Sequence, residues 1–74
     1  MTVEQLRSAV HTAPFVPFTL HAADGRAIRV PTSDHIVYNP TGRTVVVLHD
    51  DDSWSVLDLL LISEIEFAPV AQAR

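Results

Sequence analysis

The stretch from Pro14 to Pro31, PFVPFTLHAADGRAIRVP, constrains the fold more than any other part of the chain. Asp24-Gly25 marks a hairpin turn, and the open question is its register. A two-residue loop would pair Ala23 with Arg26. It would set Leu20 against Arg29 and His21 against Ile28, mixing apolar and polar side chains on both faces. A three-residue loop, Ala23-Asp24-Gly25, is a type I turn with Gly25 left-handed as a bulge. It pairs Ala22 with Arg26, Leu20 with Ile28 and Phe18 with Val30. One face then carries Phe18, Leu20, Ile28 and Val30, while Thr19, His21, Ala27 and Arg29 look outward. Side chains alternate with period two, so a slip of one residue would turn the whole apolar set toward water. The three-residue register is therefore the expected one.

The rest of the chain supplies what this hairpin needs to bury its inner face. Thr2 followed by Gln5 is a capping-box pattern, with Glu4 in the first turn where it meets the positive end of the helix dipole. A helix is predicted over residues 3–13, ended by Pro14, with Val3, Leu6, Val10 and Ala13 on one stripe and Ala9 beside it. Three turns are marginal alone, so the stripe must lie on an apolar part of the sheet. Pro14 and Pro17 bracket Phe15 and Val16 in an extended connector. Beyond Pro31, Thr32-Ser33-Asp34 offers a turn before a third strand, His35 to Tyr38. Asn39-Pro40-Thr41-Gly42 matches a type I turn. Thr44 to His49 is β-branched, and its valines are apolar on both parities, which predicts a central strand covered on both faces for part of its length. Asp50 to Ser53 turns the chain into a fifth strand, Trp54 to Leu57. One turn of 3₁₀ geometry is expected at Asp58 to Leu60, and alternation resumes at Ser63 to Phe67 with Ile65 and Phe67 inward.

Seventy-four residues correspond to one domain near the lower size limit for an unstapled core. The predicted organisation is a domain over 1–69, with helix 3–13 and barrel 18–68, followed by a frayed tail at 70–74. The chain has no cysteine, which leaves neither a disulfide framework nor a cysteine-ligated zinc to brace it. The amino terminus has no basic segment leading into an apolar run, and no stretch approaches the roughly 18 apolar residues of a membrane span. A soluble, cytoplasmic chain without cofactor is expected. The formal charge of −4, with no lysine, disfavours polyanionic partners.

A capped helix, a bulged Asp-Gly hairpin, two further strands and a short last strand after a tight turn resemble the layout of small Sm-like and SH3-like barrels. The likeness is closest to the Sm-like branch, which includes the bacterial RNA chaperone, and it implies a five-stranded antiparallel barrel. It also implies a nucleic-acid rim, for which Arg26, Arg29 and Arg43 are the available cations. The basic residues that Sm-like proteins use on RNA have no counterparts at Asp58-Leu59-Leu60. A second resemblance covers nearly the whole chain. Leu6-Arg7, Pro14-Phe15-Val16-Pro17-Phe18, Asp24-Gly25-Arg26 and Asp58-Leu59-Leu60 look like the marks of a family of short uncharacterised bacterial proteins, which brings no activity with it.

Three kinds of chemistry can be weighed on the residues themselves. The acidic turn His49-Asp50-Asp51-Asp52 offers oxygen ligands for calcium or magnesium, with His49, Asp50 and Asp52 as candidate ligands, yet it lacks the spacing of an EF-hand loop. It reads first as a solvated turn whose aspartates cap their own backbone. If Asp34-His35 folded beside it, a transition-metal site would become conceivable. For catalysis there is no cysteine, no glycine-rich phosphate loop in a chain of two glycines, and no nucleophile elbow. An enzyme is not expected. Association is the strongest candidate, because 47% of the residues are hydrophobic, more than one small interior can hide. Phe15, Phe18, Leu20, Ile28, Val30, Ile36, Tyr38, Val45, Val47, Trp54, Val56, Ile65 and Phe67 would fill a barrel. Leu59, Leu60, Leu61, Ile62, Val46 and Leu48 would then be partly surplus. The expected function is a non-enzymatic module that binds itself or a protein partner through Trp54, Leu59, Leu60, Leu61, Ile62 and an open strand edge. The alternatives are an Sm-like nucleic-acid binder and, third, a metal-binding regulatory module.

Overall fold

A computed structural model describes residues 1–67. The predicted tail, 70–74, lies outside the described residues. The helix α1, Val3–Val10, opens with the capping box the sequence predicts: the Thr2 side chain accepts from the Gln5 N–H, and the Gln5 side chain accepts from the Thr2 N–H. It ends three residues earlier than expected, with His11 as C-cap. Pro14 excludes Ala13 from helical geometry, and the Thr12 hydroxyl donates to the Ser8 carbonyl at 2.7 Å, taking up a carbonyl at the frayed end.

Six strands follow: β1 Phe18–Ala22, β2 Ala27–Val30, β3 Ile36–Tyr38, β4 Thr44–Leu48, β5 Trp54–Asp58 and β6 Ile62–Phe67. The β1–β2 hairpin has the three-residue loop and its register, with Phe18 opposite Val30 and Leu20 opposite Ile28. Ala22 N–H donates to the Arg26 carbonyl, and Gly25 takes φ 95°, a conformation side chains oppose. Asn39 and Gly42 close the expected turn before β4. Ser33–His35 and Leu59–Leu61 are single 3₁₀ turns, capped where the Thr32 side chain accepts from the Asp34 N–H and the Asp58 side chain from the Leu60 N–H.

The expected five-stranded Sm-like or SH3-like barrel does not form. The strands make two separate antiparallel sheets, in the orders β2-β1-β6 and β3-β4-β5. A barrel needs an unbroken ladder around its girth, and this one is interrupted twice. Pro31 removes a donor and the Ser33–His35 turn carries the chain away from β2, so β3 pairs only with β4. At the other end the Leu59–Leu61 turn delivers β6 to β1, leaving β5 at an edge. Both sheets contribute to one core, in which Phe18, Leu20 and Val30 meet Val45, Val47 and Leu57, with Leu6 and Ala9 of α1 beside them. Each ladder runs one step past its strands into the Leu59–Leu61 turn: Leu59 N–H donates to the Arg43 carbonyl beside β4–β5, and Ala23 N–H to the Leu61 carbonyl beside β1–β6, each 2.7 Å.

Several side chains expected inside are not there. Trp54, Val56 and Phe67 are exposed, while Leu57, Leu59 and Ile62 are buried. Strand parity is the reason: Val45 and Val47 face the core, and their partners across the ladder are Leu57 and Ser55. Trp54 and Val56 must therefore point the other way.

Candidate functional site

The outer face of the β3-β4-β5 sheet is the most unusual surface of the described residues. Its centre is a row across all three strands, Val37 opposite Val46 opposite Val56, and its end is Leu48 opposite Trp54. Trp54 is 65% exposed, Val37 60% and Val56 56%. Singly exposed apolar residues are ordinary, but a cross-strand array of five on one face is not what an antiparallel sheet facing water carries. The order β3-β4-β5 holds this array rigidly, because β4 is central, as its valine run predicts, and is paired along its whole length with β5. Its outer side, by contrast, is only half covered.

At one end the face becomes polar, where Thr44 stands opposite Asp58. Arg43 grips Asp58 with two bonds, Nε to Oδ1 at 3.2 Å and Nη2 to Oδ2 at 2.6 Å. The Asp58 carboxylate also accepts the Leu60 N–H at 2.9 Å. The bonds from Arg43 and then from Leu60 hold the Asp58 carboxyl below its usual range, and the carboxylate raises the Arg43 guanidinium in turn. The pair is thus internally neutralised, and the array itself carries no charge.

Of the interface residues expected from sequence, Trp54 belongs to this face. Leu60 and Leu61 are exposed, but on the 3₁₀ turn between β5 and β6. Leu59 and Ile62 are 5% and 1% exposed and belong to the chain's own core, so they offer no surface. Val37 and Val56 were not singled out as surface by the sequence. Their signal was the apolar run of β4 on both parities, which required uncovered partners if only one side of the sheet met the core.

The remaining candidates are dispersed. Arg26 is bound to Asp24 at 3.0 Å beside the β1–β2 turn, Arg29 lies in β2, and Arg43 belongs to the other sheet with Asp58. His35 does approach the acidic turn, with Nε2 2.9 Å from Asp50 Oδ1, but its Nδ1 is taken by the Thr32 hydroxyl at 2.8 Å. His49 Nε2 is engaged by Ser55 Oγ at 2.8 Å. Asp51 caps Ser53 and is held below the usual carboxylate range by that hydroxyl and backbone N–H. Asp52 supplies the positive φ of 72° that closes the turn. Among the described residues no three histidine or acidic side chains converge as metal ligands. Within the acidic turn, Asp51 caps the Ser53 backbone while Asp50 is bound by His35.

Compared with known proteins, the chain matches no family model, and no curated protein or solved structure matches it. No helix among the described residues is long and apolar enough to cross a membrane.

Proposed function

We propose that this protein is a non-enzymatic association module whose outer β3-β4-β5 face packs against the same face of a second copy. The observation that carries the reading is the uncharged array of exposed Val37, Leu48, Trp54 and Val56 around the half-buried Val46. A second copy is favoured as occupant because the chain is net acidic while this face is neutral. Two copies meet there without bringing their carboxylates together, and the contact is the same patch on both, as a two-fold interface requires. Sheets pack face to face about 10 Å apart, a spacing that Trp54 and Leu48 fill by interdigitation. The five side chains of each copy would bury on the order of 1,000 Å² in total, at the small end of specific interfaces, so the association is reversible and weak. A cytoplasmic setting belongs to the same reading.

Trp54 is the chain's single tryptophan and stands in the proposed contact. Its fluorescence should shift to shorter wavelength as concentration rises and the indole leaves water. An emission maximum independent of concentration up to the high micromolar range would contradict the proposal.

A further inference from the structure

On the other sheet, β6 is an edge strand, and a groove of about 670 Å³ runs between it and α1. One wall is helical, with Glu4, Ser8 and Thr12; the other is Ser63, Glu64, Ile65 and Phe67. Ala9 is buried between them, and Ile65 and Phe67 add apolar surface. We propose that this groove takes an extended peptide segment bearing arginine or lysine, which joins β6 as a further antiparallel strand.

Three observations support the assignment. An edge strand presents alternate backbone N–H and C=O groups with no partner in its own sheet, and strand addition satisfies them in series. One such group already shows the edge at work: the Met1 ammonium donates to the Ile62 carbonyl at 3.2 Å, at the start of β6. Six residues of strand give a docking length of about 20 Å. The side chains choose the partner's charge. Glu4 and Glu64 are exposed at the groove, and among the described residues neither has an ion-pair partner, whereas Glu66 on the same strand is bound by His21 at 2.8 Å. No arginine, lysine or histidine side chain lines the groove, and its one lining cation, the Met1 ammonium, is already bonded to the Ile62 carbonyl, so the two carboxylates of Glu4 and Glu64 leave the balance of charge in favour of a cation.

The test uses two capped hexapeptides, alternating valine with arginine and valine with glutamate, titrated into the isotopically labelled protein. Amide shifts should appear along Ser63 to Phe67 and the facing side of α1 with the arginine peptide only. The double variant Glu4→Gln, Glu64→Gln, which alters only exposed side chains, should bind it about fivefold more weakly. Equal binding of both peptides, shifts confined to the β3-β4-β5 face, or no shifts at millimolar peptide would overturn the assignment. So would tighter binding after removal of residues 68–74, since the groove would then already belong to the chain itself. Trp54→Ser lies on the other sheet and should leave peptide binding unchanged, which separates this proposal from the self-association of the outer face.

Discussion

Leu48 and Trp54 face each other across the β4–β5 ladder, and both look outward from a sheet whose opposite side is the protein's core. A tryptophan placed at 65% exposure, opposite an exposed leucine, contributes little to the stability of the single chain. Trp54→Ser should therefore lower the free energy of unfolding of the monomer by less than about 1 kcal/mol. It should also abolish the concentration dependence of the sedimentation coefficient. Urea unfolding of the variant checks the first and sedimentation velocity the second.

The 3₁₀ turn that follows divides its leucines by role. Leu59 and Ile62 fill the core, and replacing either with alanine should cost about 2–5 kcal/mol from lost burial and the cavity left behind. Leu60→Ser, at a position 62% exposed, should fall within about 0.5 kcal/mol of the parent. Thermal or urea unfolding of the three variants distinguishes them directly.

The way these two leucines part company shows where the sequence is legible. Alternation and turn chemistry sufficed for the β1–β2 register, the helix start and the central place of β4, because each depends on neighbours within a few residues. Leu59 to Ile62 is apolar without period, so only the tertiary path of the chain decides which of the four is covered. The same limit explains the expected barrel. A ladder that ends at Pro31 or closes around it looks alike in sequence, since what differs is whether β3, paired with β4 in either case, also pairs with β2. Trp54 and Val56 read equally well on either face until the parity of Val45 and Val47 is known.

Two turns depend on positive φ, and they should respond in opposite directions. At Gly25, φ 95° is unfavourable for any residue with a side chain although nothing lies within 4 Å of a new Cβ, so Gly25→Ala should cost about 1–2 kcal/mol through backbone strain alone. At Asp52, φ 72° is borne by an aspartate, and Asp52→Gly should gain up to about 1 kcal/mol. Chemical denaturation of both variants provides the comparison.

Asp24, Asp51 and Asp58 each have a folded-state carboxyl held below the usual 3.8. The backbone N–H of Arg26 is the main cause at Asp24, the Ser53 hydroxyl at Asp51 and Arg43 at Asp58. A lowered pKa stabilises the fold above the unfolded value and that contribution disappears as pH falls through the folded values. Stability should therefore decline on acidification below about pH 4, and Asp58→Asn should make that decline shallower. The reading is urea midpoint against pH for parent and variant.

Mass in solution is the most direct measure of whether the outer face is an interface. Light scattering coupled to size-exclusion chromatography, run from low to high micromolar loading, should show the parent rising from one chain mass of 8.2 kDa toward two, and Trp54→Ser staying at one. A parent that remains a single chain throughout, or a Trp54→Ser variant that dimerises as the parent does, would contradict the account.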